Sequence, residues 1–221
     1  MNTSEFQYPF AAPIVSIADP LDGLLQTADL AQPIPVDIVV WDSALPGYTV
    51  QLRLDEIPSG EIRTLTTLDR PGSVITMHLN QWLLSEDRNY KLSYKATNNE
   101  NGVTDNSPSS PLKVDRTTPG APLLASMIFP SVTLGENLKG QIAGYAEMKT
   151  GDFIQTVCNG MKGPGHTVID DELLHTPINI VFPRDFLQSL GSSNILIEYF
   201  ITDRAGNVSI MSMPVSLTIQ A

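Results

Sequence analysis

The sequence predicts an all-β protein built as two tandem β-sandwiches, on three grounds. The first is alternation of apolar and polar residues. Ile38 and Val40, then Val50, Leu52 and Leu54, then Leu92, Tyr94 and Ala96, then Ile195, Ile197, Tyr199 and Ile201 each mark one face of a strand. The second is punctuation between those runs by Leu45-Pro46-Gly47, Pro58-Ser59-Gly60, Arg70-Pro71-Gly72 and Gly163-Pro164-Gly165. With 17 prolines and 15 glycines in 221 residues, long helices have little room. The third is that the chain repeats itself.

The repeat has three blocks in one order. Val40-Trp41-Asp42-Ser43-Ala44-Leu45-Pro46-Gly47-Tyr48-Thr49-Val50-Gln51 aligns without a gap to Gly144-Tyr145-Ala146-Glu147-Met148-Lys149-Thr150-Gly151-Asp152-Phe153-Ile154-Gln155. His78 to Leu83 then faces Phe182 to Leu187, and Leu92 to Thr97 faces Ile197 to Thr202. Ala12-Pro13 and Ala121-Pro122 open the two copies. The shift is about a hundred residues, the size of one sandwich module. The boundaries that follow are an N-terminal extension over 1–11, a first module over 12–115 and a second over 116–221. Short helical pieces are expected at equivalent places, Gln81 to Ser85 and Arg184 to Leu190.

Bulk properties bound the chemistry. Apolar residues make up 42% of the chain, enough for packed cores. The net charge is −11, and residues 1–115 carry 15 acids and 7 bases against 9 and 6 afterwards. Such a field repels phosphate, so neither nucleic acid nor an anionic membrane is expected as a partner. Cys158 is the one cysteine, so no intrachain disulfide forms. No basic segment followed by a long apolar stretch opens the chain, and no apolar run approaches a membrane span. A monomeric segment without membrane insertion is the expectation, its protein or glycan partner unknown.

At the ends of the copies the residues resemble a known family. Val114-Asp115-Arg116-Thr117-Thr118-Pro119 resembles the Val-Asp-x-Thr-x-Pro linker of bacterial immunoglobulin-like repeats in large surface proteins and adhesins. Asp203-Arg204-Ala205-Gly206-Asn207-Val208-Ser209 resembles their Asp-x-Ala-Gly-Asn-x-Ser turn. The first copy, with Tyr90, Ala96, Asn98 and Gly102, is also similar to a fibronectin type III end. The resemblance implies two immunoglobulin-like sandwiches. Independently of it, Gly206-Asn207 supplies residues that tolerate the positive φ of a tight hairpin, and Asp203 can accept bonds from turn amides.

Catalytic sets are missing from the sequence: there is no nucleophile elbow, zinc-protease helix, P-loop or dinucleotide fingerprint. His78 reads as a strand residue, His166 as part of a Gly-Pro-Gly loop, and Asp170-Asp171-Glu172 before His175 as a solvated loop. Cys158 aligns with Leu54 and reads as a buried, inert thiol. Trp41, Tyr48, Trp82 and Tyr90 lie in the first copy. Exposed on one face they would suit sugar rings, but Trp41 aligns with Tyr145 and Trp82 with Phe186, which marks core.

Calcium is the one ion the sequence invites. A sandwich chain enters at one end and leaves at the other, so the linker arrives at the loop end of the second module. That reasoning gathers Asp115, Glu147, Asp152, Asp203 and Asn207 as interdomain oxygen ligands, and the resemblance adds that related repeats stiffen junctions with calcium. The expected function is a non-catalytic tandem segment of a bacterial surface or secreted protein, a rigid spacer or a part of adhesion. The alternative is an accessory carbohydrate- or protein-binding module of a larger enzyme or toxin. A polypeptide that stays in the cytoplasm is the third reading.

Overall fold

The computed structural model describes residues 10–133 and 135–218. Of the expected N-terminal extension, residues 1–9 lie outside the described residues. The chain divides into two units, 1–116 and 117–221.

In the first unit the alternating runs become strands β1 (Ile34–Val39), β2 (Thr49–Leu54), β3 (Ile57–Thr64), β4 (Val74–Leu79), β5 (Asn89–Thr97), β6 (Thr104–Asn106) and β7 (Ser110–Lys113). β1 pairs with β4, and Ile14 extends that sheet through a bridge to Asp37. The facing sheet runs β3-β2-β5, with β6 and β7 both on the far side of β5. All named strand pairs are antiparallel. Inward residues of both sheets meet in one core, in which Ile34, Ile38, Val50, Leu52, Leu92 and Tyr94 are fully buried. Each such side chain is worth about 1.5–3 kcal/mol of burial, and this alternation sets the register of every strand.

The second unit repeats the plan with β8 (Asn137–Ile142), β9 (Phe153–Cys158), β10 (Met161–Thr167), β11 (Ile178–Pro183), β12 (Asn194–Thr202) and β13 (Val215–Thr218). β8 pairs with β11, and the second sheet runs β10-β9-β12-β13. Its core is separate, centred on Ile142, Ile154, Phe182, Ile195, Ile197 and Ile201. Two packed antiparallel sheets with the chain crossing between them make each unit an immunoglobulin-like β-sandwich. The whole chain is all-β, as the sequence predicts.

Matching turns hold matching strands. The β2–β3 and β9–β10 hairpins both close on two residues with positive φ, Asp55-Glu56 (49° and 68°) and Asn159-Gly160 (48° and 78°). The second is the favoured Asn-Gly type, whereas a glutamate at +68° is strained. Arg53 offsets this by donating from Nη2 to the Glu56 carbonyl at 2.6 Å. Gly47 and Gly151 sit at equivalent places before β2 and β9 with φ of 95° and 91°, a region closed to most side chains.

The helical pieces appear as a 3-10 turn at Gln81–Leu84 and, in the second unit, as α2 (Arg184–Ser189). A further short helix, α1 (Asp170–Leu174), stands where a solvated loop is expected. Glu172 makes it: its Oε2 accepts the Ile169 amide at 3.0 Å, capping the first turn. His166 belongs to strand β10 rather than to a loop.

Candidate functional site

The five residues proposed from sequence for calcium divide between the units, Asp115 in the first and Glu147, Asp152, Asp203 and Asn207 in the second. Within the second unit the chain starts at this same end, where the Gly120 amide donates to the Ala146 carbonyl at 2.9 Å. Asp203 and Asn207 come together as one turn. The Asn207 amide donates to Asp203 Oδ1 and its Nδ2 to Oδ2, both at 2.8 Å. The Asp203 amide closes the turn on the Asn207 carbonyl at 3.0 Å. In the first unit the corresponding turn is one residue longer, with the Asn98 amide reaching the Val103 carbonyl at 2.9 Å.

Asp152 is fully buried at the start of β9. Its Oδ2 accepts the Tyr145 hydroxyl at 2.8 Å and the Lys149 amide at 3.0 Å, while Oδ1 has no hydrogen-bond partner among the described residues. Burial raises its pKa, and the nearby Asp203 carboxylate adds to the rise against the lowering effect of those two bonds. Burial also raises the Tyr145 hydroxyl, helped by the bond to Asp152. Glu147 lies at positive φ with its carboxylate 3.6 Å from Lys149 Nζ. Asp115 lies one residue before the end of the first unit, its carbonyl 3.5 Å from the Thr27 hydroxyl. Among the described residues no three His, Cys, Asp or Glu side chains converge for a metal. A cation at this end would have to draw on Asp152 Oδ1, with its further oxygens coming from loop carbonyls.

Other singled-out residues have local partners. His166 Nε2 lies 2.8 Å from Glu172, and His175 Nδ1 lies 3.0 Å from Asp171 one turn away. Cys158 is buried in the second core, which pushes its thiol pKa up to about 11. Trp41 and Tyr90 are core residues. Phe10 stacks edge-on against Trp41 at 4.8 Å, and the Tyr90 hydroxyl donates to the Glu86 carbonyl at 3.1 Å beneath the Arg88 guanidinium. This is the corner tyrosine of the fold.

Trp82 overturns its core reading. It is 77% exposed, because the turn after β4 directs Leu84, not Trp82, into the core. In the second unit α2 adds a turn, and both Phe186 and Leu187 pack inward. A repeated pair escaped the sequence reading. Ser107 and Ser212 are buried, and each donates its amide to, and accepts the amide of, the tyrosine thirteen residues earlier, Tyr94 or Tyr199. That Tyr-to-Ser spacing, present in both copies, is the signal that could have found them.

No family model and no curated protein sequence matches the chain. Among solved structures it is similar to the fibronectin(III)-like modules of Clostridium thermocellum CbhA, at 14% identity over 94% of each chain, with a TM-score of 0.48. It is also similar to a 1.5-MDa bacterial ice-binding adhesin, at 15% identity over 90% of this chain and 60% of that one, TM-score 0.45. The chicken CNTN1 FN1–FN3 domains follow at 11% identity, 96% and 69% coverage, and TM-score 0.41. At these values the likeness carries no functional argument, and the fold assignment rests on the strand order itself. Among the described residues no helix is long and apolar enough to cross a membrane.

Proposed function

We propose that this chain is a non-catalytic tandem sandwich segment of a bacterial surface or secreted protein, serving as a spacer that holds other parts of its parent apart or takes part in adhesion. The observation that carries the reading is the doubling of one fold around two cores with no residue in common. Units that fold separately can be strung in series under load without one failure unravelling the next. Thr117-Thr118-Pro119 between them fits a semi-rigid connection, since proline fixes its own φ and restricts the residue before it.

Pulling the chain by its ends tests this. Two separate unfolding events are expected, each releasing about 35 nm, the length of roughly 105 extended residues. One cooperative event, or a glycan or protein that shifts the unfolding of the first unit, would favour the accessory binding module instead.

Calcium belongs to the same proposal, as an ion drawn to the Asp152 and Asp203 end of the second unit. Support comes from the two neighbouring carboxylates and the orphaned oxygen. Millimolar calcium should raise the melting temperature of the second unit, and an unchanged melting curve removes the ion from the account.

A further inference from the structure

β3 ends its sheet: among the described residues it pairs with β2 and with no other strand. The matching strand in the second unit, β10, is blunted. Gly163-Pro164-Gly165 interrupts its register, and the Gly163 and Pro164 carbonyls are taken by Gln155 Nε2 at 2.8 Å and the Thr156 hydroxyl at 2.6 Å. Proline there removes a donor from the edge, a common protection against pairing. β3 carries its proline at Pro58 beside the hairpin turn and a register shift of its own at Gly60-Glu61, where Gln51 Nε2 reaches the Gly60 carbonyl at 3.5 Å. The run Ile62 to Thr64, however, holds regular register with β2 and carries no proline.

That run is arranged to accept a strand. The Leu65 amide donates to the Tyr48 carbonyl and its own carbonyl accepts from Gly47, so Leu65 faces β2. Alternation along the strand then turns the amides and carbonyls of Thr64 and Ile62 outward. Ile62 is 62% exposed. Beside it lies a groove of about 620 Å3 between β3 and β4, lined by Glu61, Ile62, Arg63, Thr76, His78 and Asn80.

We propose that this edge pairs antiparallel with the same edge of a second copy of the chain, about a two-fold axis at Ile62. The sequence of the edge selects that occupant. In antiparallel pairing centred on Ile62, Glu61 of each copy faces Arg63 of the other, and the two isoleucines meet at the centre. Arg63 already holds Asp69 at 2.7 Å through Nη2, and a guanidinium has five N–H donors to share. The two five-stranded sheets become one continuous sheet. Laterally paired chains go beyond the spacer reading and replace the monomer expected from sequence.

A single strand pair is a small interface, so sedimentation of the full chain should show dimer appearing at about 0.1–1 mM. Ile62→Lys and Ile62→Glu each place like charges across the axis and should leave monomer. Mixed one to one, they should restore a heterodimer. High salt should weaken the unsubstituted dimer. A chain that stays monomeric up to 1 mM, or variants that dimerise unmixed, would overturn the proposal. Should either variant lose its fold, hydrogen exchange of the unsubstituted chain decides. The Ile62 and Thr64 amides must slow as concentration rises, and exchange independent of concentration sinks the idea.

Discussion

Tyr94 and Tyr199 occupy the same position in the two copies, yet their hydroxyls meet different surroundings. Tyr199 donates to the Ala125 carbonyl at 2.8 Å, whereas the buried Tyr94 hydroxyl has no partner among the described residues. Burial pushes both phenols up to about 12, so each is a neutral donor at physiological pH. A buried unmade bond costs more than a made one contributes. Tyr199→Phe should therefore destabilise the second unit by about 1 kcal/mol, while Tyr94→Phe should leave the first unchanged or more stable by up to ~1 kcal/mol. Denaturant titration of both variants checks the pair. Asp152 offers a second test. Its pKa is raised in the fold, so the unfolded chain gives up this proton at lower pH than the folded one. Stability from this group is complete below the unfolded pKa, near 4, and falls as pH rises through the folded value. Asp152→Asn should flatten that decline and stabilise the second unit at pH 7, measured as melting temperature against pH. An unchanged pH profile would mean that Asp152 titrates normally.

At the scale of elements, strands were legible and turns were only partly so. The alternating runs all became strands with their apolar members buried, because period 2 is a property of the pleat itself. Asn159-Gly160 is a hairpin pair readable from sequence, whereas Asp55-Glu56 makes the equivalent turn with no such signature, held by Arg53 at the base of the hairpin and by Arg88 from a remote part of the chain. Trp82 shows the opposite failure. Alignment with Phe186 put it in the core, but a four-residue 3-10 turn and a six-residue α-helix rotate equivalent positions differently. Trp82→Ala should change stability by no more than about 0.5 kcal/mol. Leu84→Ala, two residues on and fully buried, should cost about 2–5 kcal/mol. Equal losses in the two would restore the core reading of the tryptophan.

For the whole molecule, two cores imply two unfolding equilibria. Ile197→Ala, deep in the second core, should lower one transition by about 2–5 kcal/mol and leave the other where it was. Movement of both transitions together would show that the units stabilise each other. The sequence by itself determined the fold class, the doubling and the strand faces, since hydrophobic periodicity and repetition are local and survive without coordinates. The candidate site was only partly legible. Asp203 and Asn207 are four residues apart and announce their turn, while the burial of Asp152 depends on Tyr145 and the packed start of β9. Only the tertiary structure decided which strand edge is left without a paired neighbour. Glu61-Ile62-Arg63 is an ordinary polar stretch until β3 stands last in its sheet, for an edge is defined by the neighbour it lacks, and that neighbour is set by topology.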